Sequence, residues 1–242
     1  MQKLFLFACF LVSSIVLNAQ ASKIDPVYDS TALRNIREFY NSERGVESAI
    51  YNGRLHYPYA SVIEGTAYFH SADWQKGNVI YDNIFYENIL MKYDLVADQV
   101  IVIANEMTGT SITLFSPRIK AFSFSGFRFV YLNENKNKSF VPAGFYHLLA
   151  EGRINALSKT TRIITEKIEA GQINRKFEEK KAYYILKGGQ YYSIKNKSEL
   201  LNTLREHNKA IQNLLKTMRL NYRKNPMQTI IAAVEFYNRQ PD

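Results

Sequence analysis

Between about residue 50 and residue 195, short runs rich in Val, Ile, Phe and Tyr alternate with Gly, Asn, Asp and Pro. Many short strands joined by turns produce that pattern. Strands are expected over 61–69, 78–81, 84–87, 89–96, 99–104, 110–115, 118–125, 127–132, 144–149, 153–165, 182–187 and 190–195. No long helical pattern separates the earlier runs, so the sheet should be mostly antiparallel.

Two hairpins can be read in register. Gly188-Gly189 can adopt the positive φ angles of a two-residue turn. Lys187 then faces Gln190, Ile185 faces Tyr192 and Tyr183 faces Ile194. One face carries Tyr183, Ile185, Tyr192 and Ile194, the other Tyr184, Leu186, Tyr191 and Ser193. Both are largely apolar, so this hairpin should pack on two sides. Asp82-Asn83 is a similar turn that sets Ile80 opposite Phe85. The polar stretch 133–139 reads as an exposed loop. The charged stretch 166–181 reads as a link between two halves or as a charged hairpin.

Helical spacing appears at both ends. Leu33, Ile36 and Tyr40 suggest a short helix over 29–40, capped by Asp29 or Ser30. Near the C-terminus, Ser198 can cap a helix carrying Leu200, Leu201 and Leu204. Ile211, Leu214, Leu215 and Met218 share a face, and Asn225-Pro226 starts a last helix carrying Ile230, Ile231 and Val234. The expected fold is α+β and mainly β: an antiparallel sandwich or roll with two or three C-terminal helices. The expected organisation is a segment 1–21, a β-rich domain 22–195 and a helical segment 196–242 packed on it.

Residues 1–21 read as a secretory signal peptide. Lys3 precedes the apolar run Leu4–Val16, which is shorter than the ~20 residues needed to span a bilayer. Ala19-Gln20-Ala21 offers a small-x-small cleavage site, with cleavage after Ala19 or Ala21. The expected address is outside the cytoplasm: periplasmic, outer-membrane-associated or extracellular. The only cysteine, Cys9, lies in the apolar run. The mature chain therefore has no thiolate metal site, no cysteine nucleophile and no disulfide, and depends on its core for stability.

Charge is unevenly distributed. Residues 22–150 are nearly balanced, whereas 151–242 hold 18 Lys and Arg against 9 Asp and Glu. If 205–223 is one helix, Arg205, Lys209, Lys216, Arg219 and Arg223 fall within about 80° of one another. That ridge is a candidate face for an anionic partner, although a break at His207-Asn208 would remove Arg205 from it.

Catalytic signatures are scarce. No HExxH, GxSxG, Walker or dinucleotide pattern occurs. Ser123 and Ser125 read as the small polar positions of a half-buried strand. His56 or His70 with Asp73 is the remaining way to assemble a metal site, and no catalytic, cofactor or metal residue is assigned. Trp74, in the turn-like stretch 70–77, is the candidate ligand contact.

In the Leu-Asn-Ala-Gln ending of its signal, in Tyr51-Asn52-Gly53 with Tyr57, and in Asp73-Trp74-Gln75-Lys76-Gly77, the chain resembles a group of uncharacterised exported proteins of Bacteroidota-type bacteria. Tyr81-Asp82, Tyr86-Glu87-Asn88, Tyr93-Asp94-Leu95-Val96 and Gly144-Phe145-Tyr146 extend the likeness. The resemblance implies the address and the architecture, and no activity.

Three functions are expected to compete. The first is a noncatalytic binding or envelope-assembly module meeting an envelope protein, a glycan or an anionic surface. The second is a hydrolase acting on envelope material or glycan. The third is an adaptor working through the basic helices. No nucleic acid, cofactor or transmembrane segment is expected for the mature chain.

Overall fold

Among the described residues, alternating side chains and tight turns build one open antiparallel sheet of eleven strands, followed by three helices. The computed structural model describes residues 49–133, 141–169 and 171–241. The signal peptide expected over 1–21, the helix expected over 29–40 and almost all of the loop expected over 133–139 lie outside the described residues.

The strands are β1 (Arg54–Leu55), β2 (Gln75–Tyr81), β3 (Ile84–Asp94), β4 (Gln99–Asn105), β5 (Thr110–Thr113) and β6 (Ile119–Phe124). They continue as β7 (Phe127–Leu132), β8 (Gly144–Ala150), β9 (Asn155–Glu169), β10 (Gln172–Lys187) and β11 (Gln190–Ser193). Their order is β1-β5-β4-β3-β2-β6-β7-β8-β9-β10-β11. Two meanders, β2 to β5 and β6 to β11, are thus joined by the β2–β6 ladder, while β1 closes on β5.

The sheet rolls on itself. The Tyr93 ring of β3 lies 5.7 Å from the Phe145 ring of β8, although three strands separate them in the sheet order. The roll encloses Val79, Met91, Val102, Phe122, Phe124 and Phe129. Asp98, at the β3–β4 turn, fastens it from below. Its carboxylate accepts from Tyr93 Oη at 2.6 Å and from Lys159 Nζ at 2.7 Å, and from the Phe145 amide at 3.4 Å.

Both hairpins fall in the expected register, with Ile185 opposite Tyr192 and Ile80 opposite Phe85. Gly188 and Gly189 have φ of 56° and 74°, as the two-residue turn requires. The β10–β11 hairpin does pack on two sides. Ile185 and Ile194 join the helices, while Tyr184 and Tyr191 lie against Tyr146 and Leu157.

Several expectations need correction. Residues 84–87 and 89–96 form one strand that passes through Asn88 at φ 57°. The stretch 61–69 is no strand and makes only isolated bridges at Glu64 and Tyr68. Ser125 falls in the β6–β7 turn at φ 50°, and its hydroxyl donates to Gln75. Of the two readings of 166–181 the charged hairpin holds: these residues are the outer half of the β9–β10 hairpin, an arm whose charged side chains pair across the strands, as Arg175 does with Glu166 at 2.6 Å.

The helices are α1 (Lys197–Thr203), α2 (Asn208–Thr217) and α3 (Pro226–Arg239). Asn196, not Ser198, caps α1: its side chain accepts from the Glu199 amide at 2.9 Å, and Glu199 reaches back to the Lys195 amide. Leu200, Leu204, Ile211, Leu215, Ile230 and Val234 bury against the sheet through Ile154, Ala156 and Ile185. The side chain of Asn238 on α3 pairs with the backbone of Ile154 in both directions at 3.0 Å, as a neighbouring strand would. No helix among the described residues is long and apolar enough to cross a membrane.

Candidate functional site

Strand alternation turns Met91 and Tyr93 into the core and Lys92 and Asp94 to the other face of β3. The irregular segment from His56 to Trp74 crosses that second face. Ala67–Phe69 bonds to the end of β3 through Phe69 N to Tyr93 O (2.8 Å) and Leu95 N to Ala67 O (2.9 Å). Arg162 of β9 clamps this segment by donating to the carbonyls of Thr66 and Tyr68, the latter at 2.8 Å.

The crossing leaves a groove of about 860 Å³ between Asn52–Tyr59 and the β3–β4 and β5–β6 connections. Asp94 lies in it, buried. Tyr59 Oη donates to Asp94 Oδ2 at 2.9 Å, and the amides of Val96 and Ala97 donate to Oδ1 at 2.8 and 3.0 Å. Both carboxylate oxygens are therefore occupied in holding the turn. Burial, and then the Asp94 charge, push the Tyr59 phenol well above its ordinary range. That phenol stays a donor.

His56 joins the groove to an aromatic cluster. Its Nε2 is 3.1 Å from Tyr68 Oη. The Lys92 ammonium sits over the Tyr68 ring at 4.9 Å and over the Trp74 ring at 4.5 Å. No carboxylate among the described residues pairs with it within salt-bridge distance. Ring faces hold a cation electrostatically, which suits an ammonium only partly in water. Burial lowers the Lys92 pKa, opposed by Asp73; burial likewise lowers that of His56, with Asp94 opposing.

The other expected residues are scattered. His70 lies against the Phe127 ring at 5.4 Å, and Asp73 accepts from Ser71 Oγ at 2.9 Å. His56, His70 and Asp73 do not converge, and no group of three or more metal-ligating side chains occurs among the described residues.

The basic ridge does not form one helix. Arg205 belongs to a 3-10 turn, Lys209 and Lys216 lie on α2, Arg219 takes a left-handed φ of 53°, and Arg223 follows in a turn. The left-handed residue ends the helix, so the 100° spacing that would align Arg219 and Arg223 stops there. Trp74 does not line the groove and is tied to it only through Lys92, Tyr68 and His56. Sequence reading missed Lys92, Tyr68 and Tyr59. Strand alternation placed Lys92 with Asp94, but nothing local to β3 signals what covers that face.

His147 gives a solution test of the packing around it. It lies among Phe69, Phe127 and Phe129, with ring centroids 5.3 Å away for the last two. Burial, and then Lys181, lower its pKa below 6.5. The unfolded chain therefore takes a proton more readily than the folded one. His147 costs nothing above pH about 6.5 and destabilises progressively as pH falls through its lowered value. His56 acts with the same sign. Urea midpoints between pH 7 and 5 should fall in the parent and fall less steeply in His147→Phe. Equal slopes would mean that His147 titrates as a solvated group.

No family model, curated protein or solved structure matches the chain.

Proposed function

We propose that the protein is a noncatalytic exported binding or envelope-assembly module that takes its ligand in the groove rimmed by Leu55, Tyr57 and Phe115. The observation that carries this reading is the rim. Leu55, Tyr57 and Phe115 line one groove and remain 50%, 76% and 61% exposed. Apolar area left in water forgoes about 25 cal/mol per Å², and its clustering around a concavity marks an interaction site. The floor supports the same conclusion, because the Asp94 oxygens are already bonded and serve as architecture. The expected ligand is an envelope protein segment or glycan with an apolar face for the rim. Export rests on the character of residues 1–21, and the resemblance to exported Bacteroidota-type proteins agrees with it.

A photo-crosslinking residue in place of Tyr57, used in intact cells, tests the proposal. It should give one reproducible adduct that the same residue at Thr110 does not. Trp74 is the sole tryptophan and is linked to His56 of the groove through Lys92 and Tyr68, so the isolated partner should alter its emission in the parent and not in Leu55→Ser/Phe115→Ser. Identical adducts from both positions, or unchanged emission at saturating partner, would overturn the assignment.

A further inference from the structure

β10 is covered in pieces along its outer edge. β11 pairs with it from Tyr184 to Lys187, and the Ile194 amide donates to the Tyr183 carbonyl at 2.9 Å. Nearer the tip, the Glu64 amide donates to Arg175 O at 2.9 Å and the Phe177 amide donates to Glu64 O at 3.0 Å. The β9–β10 register is unbroken from Gln172 to Leu186, so backbone groups alternate regularly between the two edges. Residues 175, 177 and 183 address the outer edge, and so must Glu179 and Lys181. Among the described residues nothing pairs with the main chain of Glu179 or Lys181 on that side. The open interval from Phe177 to Tyr183 is about 20 Å long, room for a strand of four or five residues.

This interval runs into a second groove, of about 1040 Å³, whose lining shares no residue with the first. Lys181, Lys195, Lys197 and Arg223 line it together with Tyr183 and Tyr222, and no carboxylate does. Glu199, close behind, is engaged by the Lys195 amide and the Asn196 side chain. Lys181 pairs with Glu179 at 2.7 Å. Lys195, Lys197 and Arg223 have no ion pair among the described residues. Tyr222 donates to Ile194 O and so fixes the groove wall to the end of β11.

We infer that this edge receives an extended acidic segment of a partner polypeptide. The segment adds to β10 in line with β11, bonds to the main chain of Glu179 and Lys181, and sets its carboxylates against Lys181, Lys195, Lys197 and Arg223. Two independent features favour that occupant. Unpaired strand amides and carbonyls are met best by another peptide backbone, and the groove that the interval runs into is lined by four cations and no carboxylate. A second copy is disfavoured, since the chain carries net charge +9 and would bring lysines to lysines.

The test uses the full mature chain and a fluorescein-labelled octapeptide alternating Glu and Val. At low salt the peptide should bind, with anisotropy rising to saturation. Lys195→Glu/Arg223→Glu should weaken binding at least about tenfold, at an unchanged urea midpoint. Methylating alternate peptide amides should do the same against the parent protein, which needs no variant to fold. Absence of binding would overturn the proposal. So would equal affinity for the methylated peptide, and full displacement by oligogalacturonate with that indifference to methylation would assign the groove to an acidic glycan instead.

Discussion

Gly144→Ala should cost the fold about 3 kcal/mol or more, read as a fall in the urea midpoint. Gly144 sits at φ 135°, where a side chain is strained by about 1–3 kcal/mol. Its added Cβ would also fall inside the van der Waals envelope of Asp98 Oδ2 and Lys159 Nζ. Those atoms have nowhere easy to go. Asp98 holds Tyr93 and the Phe145 amide as well as Lys159, and the Lys159 side chain is only 12% exposed. Pushing the carboxylate aside leaves a largely buried ammonium without its counter-ion, and breaking a buried pair on one side costs about 3–5 kcal/mol. Asp98→Ala should therefore approach the same loss, and combining it with Gly144→Ala should add less than the two single losses together. A Gly144→Ala protein as stable as the parent would show that the roll is not fastened at this junction.

Phe129→Ala should destabilise by about 3–5 kcal/mol. Phe129 is the ring on which the aromatic core converges: Phe69, Tyr93, Phe122 and His147 all lie between 4.7 and 5.3 Å from it. Rings at that spacing interact beyond the area they bury, and removing one leaves a cavity that several strands would have to move to fill. Phe129→Leu keeps most of the volume and should lose less. The substitution carries its own control. Burial is the main cause of the lowered His147 pKa, so opening the cavity to water should move that pKa up towards 6.5, as followed by NMR titration. A large stability loss with an unmoved His147 would mean that the core closes over the missing ring.

Local signals explain which parts of the fold were legible. The β10–β11 hairpin could be read to the residue because Gly188-Gly189 fixes its register and apolar residues occupy both of its faces. The last helix was equally plain, since Pro226 stands at its first turn. The outer half of the β9–β10 arm could be read only as a link or a charged hairpin, without its register, for the opposite reason. That half buries little, so alternation of apolar and polar residues fades, and its cross-strand pairs are visible only once the register is known. The basic ridge failed at Arg219, because a left-handed residue other than glycine leaves little trace in a sequence. The groove was the least legible feature. Trp74 could be singled out as an aromatic in a turn, but Lys92, Tyr68 and His56 come together only when an irregular segment crosses β3. Such a segment has no period to detect.

The β2–β6 ladder has a consequence for the order in which the chain can assemble. As the polypeptide emerges from its N-terminal side, β2, β3, β4 and β5 can pair by successive reversals, each strand meeting the one before it. The far edge of β2 has no such early neighbour. It stays bare until Ile119–Phe124 has followed the whole first meander and returned to it. Val79 and Tyr81 of β2, both fully buried in the finished protein, have part of their cover delivered by that late strand. A nascent chain paused after β5 therefore presents a sticky, half-made surface, and it is the arrival of β6 that commits the two meanders to a single body.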